Sequence, residues 1–204
     1  LTLGSTVGAV KIVAGEIRND NEEQERARLE QRVIGMLRKI GVRKGQTILD
    51  FGCGLGTYTI PVAKIVGKRG KVYALDKDKN ALDGLMNKAE LGRLKNIGRM
   101  ATSGELQIEL PAESVDRTLL FDVFHRYYFP QSNDRKRLLA EIYRITKTEG
   151  FVSVWPKHME AELRAEVEAA NFCFEDEFIG TLIHDNKDIE PGKVISFRKK
   201  SNLW

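Results

Sequence analysis

The 204-residue chain, 42% hydrophobic and 30% charged, is long enough for one well-cored domain and short for two. No apolar run approaches a membrane span, and two cysteines, Cys53 and Cys173, make neither a disulfide framework nor a metal cluster, which suits a reducing compartment. The formal charge of +4 invites a polyanion, but Arg43-Lys44, Lys68-Arg69, Arg135-Lys136-Arg137 and Arg198-Lys199-Lys200 fall on different segments without an aromatic stacking motif, so a solvated surface is expected rather than a specific nucleic-acid partner.

Residues 1–19 read as an arm or leader of open role, because Thr6 to Ala14 fits a strand, a substrate lid, a dimer arm or a flexible tail equally. The start lacks a basic-then-apolar signal, so a cytoplasmic location is expected, and Leu1 in place of methionine suggests a trimmed start. One domain, 20–204, follows. Asp20 can cap its first helix with Glu23 as capping-box mate, Val33, Ile34, Leu37 and Ile40 make the buried stripe, and Gly41 ends it.

A strand to about Phe51 then breaks into Gly52, Gly54 and Gly56, and a helix is expected from Thr57 to about Val66. Alternate glycines at a strand-to-helix turn permit positive φ and let a ligand lie against bare backbone. The next strand, 71–76, ends in Asp76 about twenty residues after the last loop glycine, where a carboxylate can accept hydrogen bonds from both ribose hydroxyls of a bound nucleoside. The loop reads D-x-G-x-G-x-G: Thr57 stands where a dinucleotide fingerprint needs its third glycine, and Asp50 would serve a pyrophosphate poorly. The α-ammonium and sulfonium of S-adenosylmethionine are cationic and suit a carboxylate there.

Further on, the pattern gives a helix from about Asn80 to Leu91, a strand near 97–101 interrupted by Gly98 and Arg99, and a strand from Val115 to Phe121. A helix starting at Asn133 or Asp134 buries Leu138, Leu139, Ile142 and Ile145, and Gly150 opens a strand from Phe151 to Trp155. The tail reads as a helix over 159–170 and strands over 172–179 and 194–198, the last two joined without a helix and so antiparallel. The fold class is α/β, a doubly wound, mainly parallel seven-stranded sheet with an antiparallel closing strand.

The motif Asp50-Phe51-Gly52-Cys53-Gly54-Leu55-Gly56, the acidic end of the second strand at Asp76, and the block from Leu110 through His125 resemble the class I S-adenosylmethionine-dependent methyltransferases, in particular the small single-domain group similar to ubiquinone/menaquinone-biosynthesis enzymes. The resemblance covers roughly residues 30 to 200. It implies a Rossmann-like methyltransferase fold and S-adenosylmethionine as cofactor, with S-adenosylhomocysteine as product. The cofactor contacts it implies are Asp50, Phe51, Gly52, Cys53, Gly54, Gly56 and Thr57 in the loop, with Asp76 and Lys77 after the second strand. Glu105 and Leu106 fall near the adenine position, although the family's usual Asp-Ala or Asp-Cys pair is absent.

Ligands of such sheets bind beyond the carboxyl ends of the strands, so Asp50, Asp76, Glu105 and Asp122 are expected to converge on one rim. Phe124, His125, Tyr127 and Tyr128 follow Asp122 and are expected around the methyl acceptor, with His125 or Tyr127 as a base if the acceptor must lose a proton. No metal is called for. No Asn/Asp-Pro-Pro-Tyr/Phe segment follows strand four, which argues against methylation of a nucleobase amine by that route. The expected reaction is methyl transfer to a small-molecule acceptor; the alternatives are an RNA or protein methyltransferase, a non-catalytic adenosyl-ligand module, or a nicotinamide oxidoreductase.

Overall fold

The computed structural model describes residues 24–157, 159–184 and 188–201; the arm at 1–19 and the capping pair Asp20 and Glu23 lie outside them. Helix α1 occupies residues 24–39, and Val33, Ile34, Leu37 and Ile40 are buried as its stripe requires. The remaining elements alternate: β1 Thr47–Phe51, α2 Thr59–Val66, β2 Lys71–Asp76, α3 Lys79–Leu91, β3 Ile97–Ala101, β4 Val115–Phe121, α4 Ser132–Ile145, β5 Thr146–Trp155, α5 Glu160–Ala169, β6 Phe172–His184 and β7 Asp188–Lys199.

The seven strands order as β3-β2-β1-β4-β5-β7-β6. All the neighbours from β3 to β5 pair in parallel, and β7 runs antiparallel to both β5 and β6. Successive residues of a strand face opposite ways, so parallel strands covered on both faces bury consecutive apolar side chains. Ile48 and Leu119 join the core under α1, α2 and α3, while Leu49 and Leu120 join the core under α4 and α5. Asp78 caps α3 by accepting from the amides of Asn80 and Ala81.

Several boundaries differ from the sequence expectation. Helix α2 starts at Thr59 rather than Thr57, because the preceding residues are spent on a turn in which Gly56 N donates to Cys53 O at 3.0 Å. Helix α4 starts at Ser132, and β5 begins at Thr146, directly after it. The tail strands are much longer than expected, since β6 and β7 pair from Phe172 opposite Lys199 to His184 opposite Asp188. Strand β7 pairs with β5 only over Ile195 to Arg198, so the far part of the hairpin overhangs the carboxyl end of β5.

Candidate active site

The strand order reverses between β1 and β4, each of which is followed by a chain segment that leaves in a different direction. A crevice opens at such a point. Here it is a cavity of about 880 Å³ beyond the carboxyl ends of the strands, within the ~300–1,000 Å³ of sites that enclose small ligands.

Its floor is the glycine turn. Gly52 (φ +74°) lies so close to the segment after β4 that a β-carbon would meet Val123 Cγ2 at 2.7 Å, whereas at Gly54 (φ +50°) a β-carbon would enter open space. Phe51, Gly52, Cys53, Gly54 and Thr57 line the cavity, and Gly56 does not. Gly56 instead backs onto α3, where a β-carbon would strike Leu85 at 2.2 Å. Asp50 also departs from the expected rim. It is 3% exposed, sits beneath the turn, and accepts from Thr59 Oγ1 at 2.5 Å. Burial, opposed by the Thr59 hydrogen bond and reinforced by the Asp76 charge, pushes its carboxyl up to about 6. The Cys53 thiol is raised as well, by burial first and then by Asp50 and Asp76, so it is not a poised nucleophile.

Asp76 stands at the end of β2 and ties the neighbouring loops: Oδ2 accepts from Gly54 N at 2.7 Å and Oδ1 from Asp78 N at 2.9 Å. Each oxygen has further lone-pair capacity, so the carboxylate is held facing the cavity and can still accept from a ligand. Lys77 and Asp78 continue the wall, and Lys77 Nζ lies 5.5 Å from the Tyr128 ring centre. Thr102, Gly104, Glu105 and Leu106 close this side. Glu105 is exposed, and its hydrogen bonds with Ser103, side chain first, hold its carboxyl below the usual range.

The other side is built from β4, β5 and the hairpin. Asp122, at φ +53°, turns the chain out of β4 and places its Oδ1 3.8 Å from His125 Nε2. His125 is 5% exposed and its Nδ1 accepts from the Tyr127 amide at 3.2 Å, which leaves the ring hydrogen of the neutral imidazole on Nε2, facing Asp122. Tyr127 and Tyr128 are exposed at the mouth, with Tyr128 4.8 Å from His125 between ring centres. Phe124, expected in the acceptor pocket, is fully buried in the α4/α5 core and does not line the cavity, because the turn after Asp122 points its ring inward among Leu138, Leu139 and their neighbours. Phe129, which the sequence also places in this aromatic cluster, does line the cavity, 6.4 Å from Phe51 between ring centres.

Trp155, Ile183 and Tyr58 are among the wall residues that were not expected. Trp155 ends β5, so the strand-end rule that selected Asp122 also selects it. Ile183 comes from the overhanging hairpin. Tyr58, on the turn after the glycines, fixes it there: its hydroxyl donates to Ile183 O at 3.0 Å and accepts from Ile183 N at 2.9 Å, and its ring packs edge-on against Phe121 at 4.8 Å. No local pattern marks Ile183 as a site residue, since a hydroxyl 125 positions away in sequence holds it.

The donor set can be tested against the expected cofactor. Asp76, Asp78, Glu105 and Asp122 line the cavity against a single lysine or arginine, Lys77, among the described residues. Such a wall repels a pyrophosphate and suits a nucleoside ligand carrying positive charge. Bare backbone at Gly54 stands beside the Asp76 carboxylate on this wall.

Residues 48–150 match the family described as Methyltransferase domain. Demethylmenaquinone methyltransferase of Geobacillus stearothermophilus is 30% identical over a stretch covering 57% of this chain and 47% of the relative. A probable cobalt-precorrin-6B C(15)-methyltransferase (decarboxylating) of Saccharolobus solfataricus is 40% identical over 30% of this chain and 31% of its own length. The chain therefore spans less than half the length of these curated relatives. Among solved structures, a SAM-dependent methyltransferase of Aquifex aeolicus shares the fold with a TM-score of 0.66 at 24% identity, covering 84% of this chain and 92% of that one. TYW2 of M. jannaschii, solved in complex with AdoMet, does so with a TM-score of 0.56 at 19% identity, covering 86% and 75%. With the family match running from β1 to the start of β5, across the glycine turn and the carboxylate at the end of β2, the chain belongs to the methyltransferase-domain family, the class I S-adenosylmethionine-dependent methyltransferases.

Proposed function

We propose that this chain transfers a methyl group from S-adenosylmethionine to a small-molecule acceptor bound in the half of the cavity walled by Tyr58, Phe121, Trp155 and Ile183. The observation that carries this reading is the apolar wall of that part: the overhanging hairpin, pinned through Ile183 by Tyr58, brings an apolar side chain into the cavity with Phe121 and Trp155, which suits a largely apolar molecule. The names of the two curated relatives point the same way, to a demethylmenaquinone and a cobalt-precorrin as acceptors.

Bound S-adenosylmethionine supplies a methyl group already activated by its sulfonium, so the protein's contribution is chiefly placement and exclusion of water. In this reading Gly52, Cys53, Gly54 and Thr57 cradle the cofactor, Asp76 accepts from its ribose hydroxyls, Lys77, Glu105 and Leu106 border its nucleoside end, and Asp122 faces its cationic end. Asp50 and Gly56 act from beneath, through the shape of the turn. His125 takes up a proton at Nδ1 by releasing the Tyr127 amide, and Asp122 beside Nε2 stabilises the resulting imidazolium. Tyr127, at the mouth, is the second candidate for proton handling.

The test is an acceptor screen with labelled methyl donor, alongside calorimetry of S-adenosylhomocysteine and of NAD. Binding of S-adenosylhomocysteine tighter than NAD, with label transferred to a small molecule, is expected; label incorporated only into RNA or protein would overturn the acceptor assignment. Once an acceptor is found, His125→Ala should lower the rate of the chemical step with cofactor affinity retained. If the side chain only packs, melting temperature falls and turnover per folded molecule does not.

A further inference from the structure

Residues 31–49, 51–75 and 91–104 contain no acid, yet they hold twelve of the 33 lysines and arginines. The loops that enter β1, β2 and β3 belong to these stretches. In the folded chain the three loops lie side by side: Gly45 N donates to Val66 O at 2.9 Å and Lys71 N to Gln46 O at 3.0 Å, and Asn96 bonds Gly67 O at 3.0 Å and receives Val72 N at 2.8 Å. Arg43-Lys44 and Lys68-Arg69, distant in sequence, therefore become neighbours, whereas Arg135-Lys136-Arg137 and Arg198-Lys199-Lys200 stay on α4 and at the end of β7. Arg43, Lys44, Lys68, Arg69, Arg93 and Lys95 are all exposed here, with Arg38 and Lys39 at the end of α1 beside them. Among the described residues, none of these cations makes an ion pair, whereas Lys64 is neutralised by Glu30 and Lys147 by Asp116. Glu90, at the end of α3, borders the patch.

We infer that this end of the sheet is a docking surface for the phosphate backbone of a nucleic acid. Unpaired, exposed cations on parallel loops about 5 Å apart match the spacing of backbone phosphates within a factor of two. The loops carry no aromatic residue to stack on bases, so the contact is made to the backbone and is independent of sequence. Their exposed apolar side chain is Leu91, too little to add the apolar insertion that holds a basic surface on a membrane. The five residues of β1 put the patch about 16 Å from the cavity, so the bound polymer is held away from the methyl-transfer site rather than fed into it.

The test is fluorescence anisotropy of the full chain with a labelled DNA duplex and a single-stranded RNA, each of about 20 nucleotides, as salt is raised. Neutralising ~4 phosphates predicts that duplex affinity falls on the order of 100-fold between about 50 and 200 mM salt. The triple variant Lys44→Glu, Lys68→Glu, Lys95→Glu, one change per loop, should weaken binding tenfold or more and leave S-adenosylhomocysteine affinity intact, which also reports that it is folded. Absence of binding at low salt, binding indifferent to the variant, or competition by S-adenosylhomocysteine would each overturn the proposal. Preferential binding to vesicles containing anionic phospholipid, lost in the same variant, would replace it with a membrane surface.

Discussion

The two ends of the sheet carry opposite charge. Beyond the carboxyl ends of the strands, Asp76, Asp78, Glu105 and Asp122 face the cavity against Lys77, while the exposed charged side chains of the loops entering β1, β2 and β3 are basic. A parallel sheet makes this separation possible, because every segment that follows a strand emerges at one end and every segment that precedes one gathers at the other. For β1, β2 and β3, bases before the strands and acids after them thus sort into two surfaces, whereas the amino end of β4 carries Glu113 and Asp116. One end suits a cationic cofactor and the other a polyanion.

The largest expected effect breaks the acidic end from below. The folded-state value of Asp50, raised to about 6 from 3.8, means that the native protein binds this proton more tightly than the unfolded chain does. Stability from this group therefore falls as pH rises from about 4 to about 6, and the buried anion costs roughly 3 kcal/mol above that window. Asp50→Asn, which can still accept from Thr59, should stabilise the cofactor-free protein by up to about 3 kcal/mol at pH 8 and by nothing near pH 4. Urea unfolding at the two pH values checks it; equal gains at both would mean that burial does not raise the Asp50 carboxyl in the native state.

Next comes Asp76. Its removal frees the amides of Gly54 and Asp78 and deletes the proposed ribose acceptor, so Asp76→Ala should weaken S-adenosylhomocysteine binding by about 1.5–3 kcal/mol, or tenfold and more. Calorimetry measures the loss, and circular dichroism should show the fold retained. An unchanged dissociation constant would reduce Asp76 to a turn residue and remove the acidic end's claim on the cofactor.

Tyr58→Phe sharpens the comparison within the cavity, since it strips the hairpin of its tie and leaves both backbone groups of Ile183 without the hydroxyl. A loss of about 1–2 kcal/mol is expected. It should appear as faster hydrogen exchange at the Ile183 amide, with the strands from β1 to β4 unaffected. Protection unchanged at Ile183 would show that the hairpin holds without the tyrosine.

The smallest effect is expected at the basic end. Lys44→Glu with Lys68→Glu touches exposed side chains without ion-pair partners among the described residues, and should shift stability by no more than about 0.5 kcal/mol. A larger loss in thermal unfolding would mean that these cations hold the loops together rather than await a ligand.

The sequence by itself determined the scaffold of the site. Runs such as Val115 to Phe121, bounded by turn residues and too short for a typical helix, read as strands between helical stretches, and β2, β3 and β4 fall on the expected residues. The alternating glycines and the carboxylate at the end of β2 were legible for a similar local reason: backbone conformation and strand-end placement are set within a few residues. Tertiary structure decided what each side chain meets. It put Asp50 under the turn, turned Phe124 into the core, and lengthened the last hairpin into a wall of the cavity, because strand pairing continued past the Pro191-Gly192 step that breaks the apolar pattern. It also buried Arg117 in β4 against the hydroxyls of Ser153 and Ser196, where burial pushes its guanidinium down to about 10. Such contacts join residues tens of positions apart, and their positions follow from sheet order and crossover, which no local window of sequence encodes.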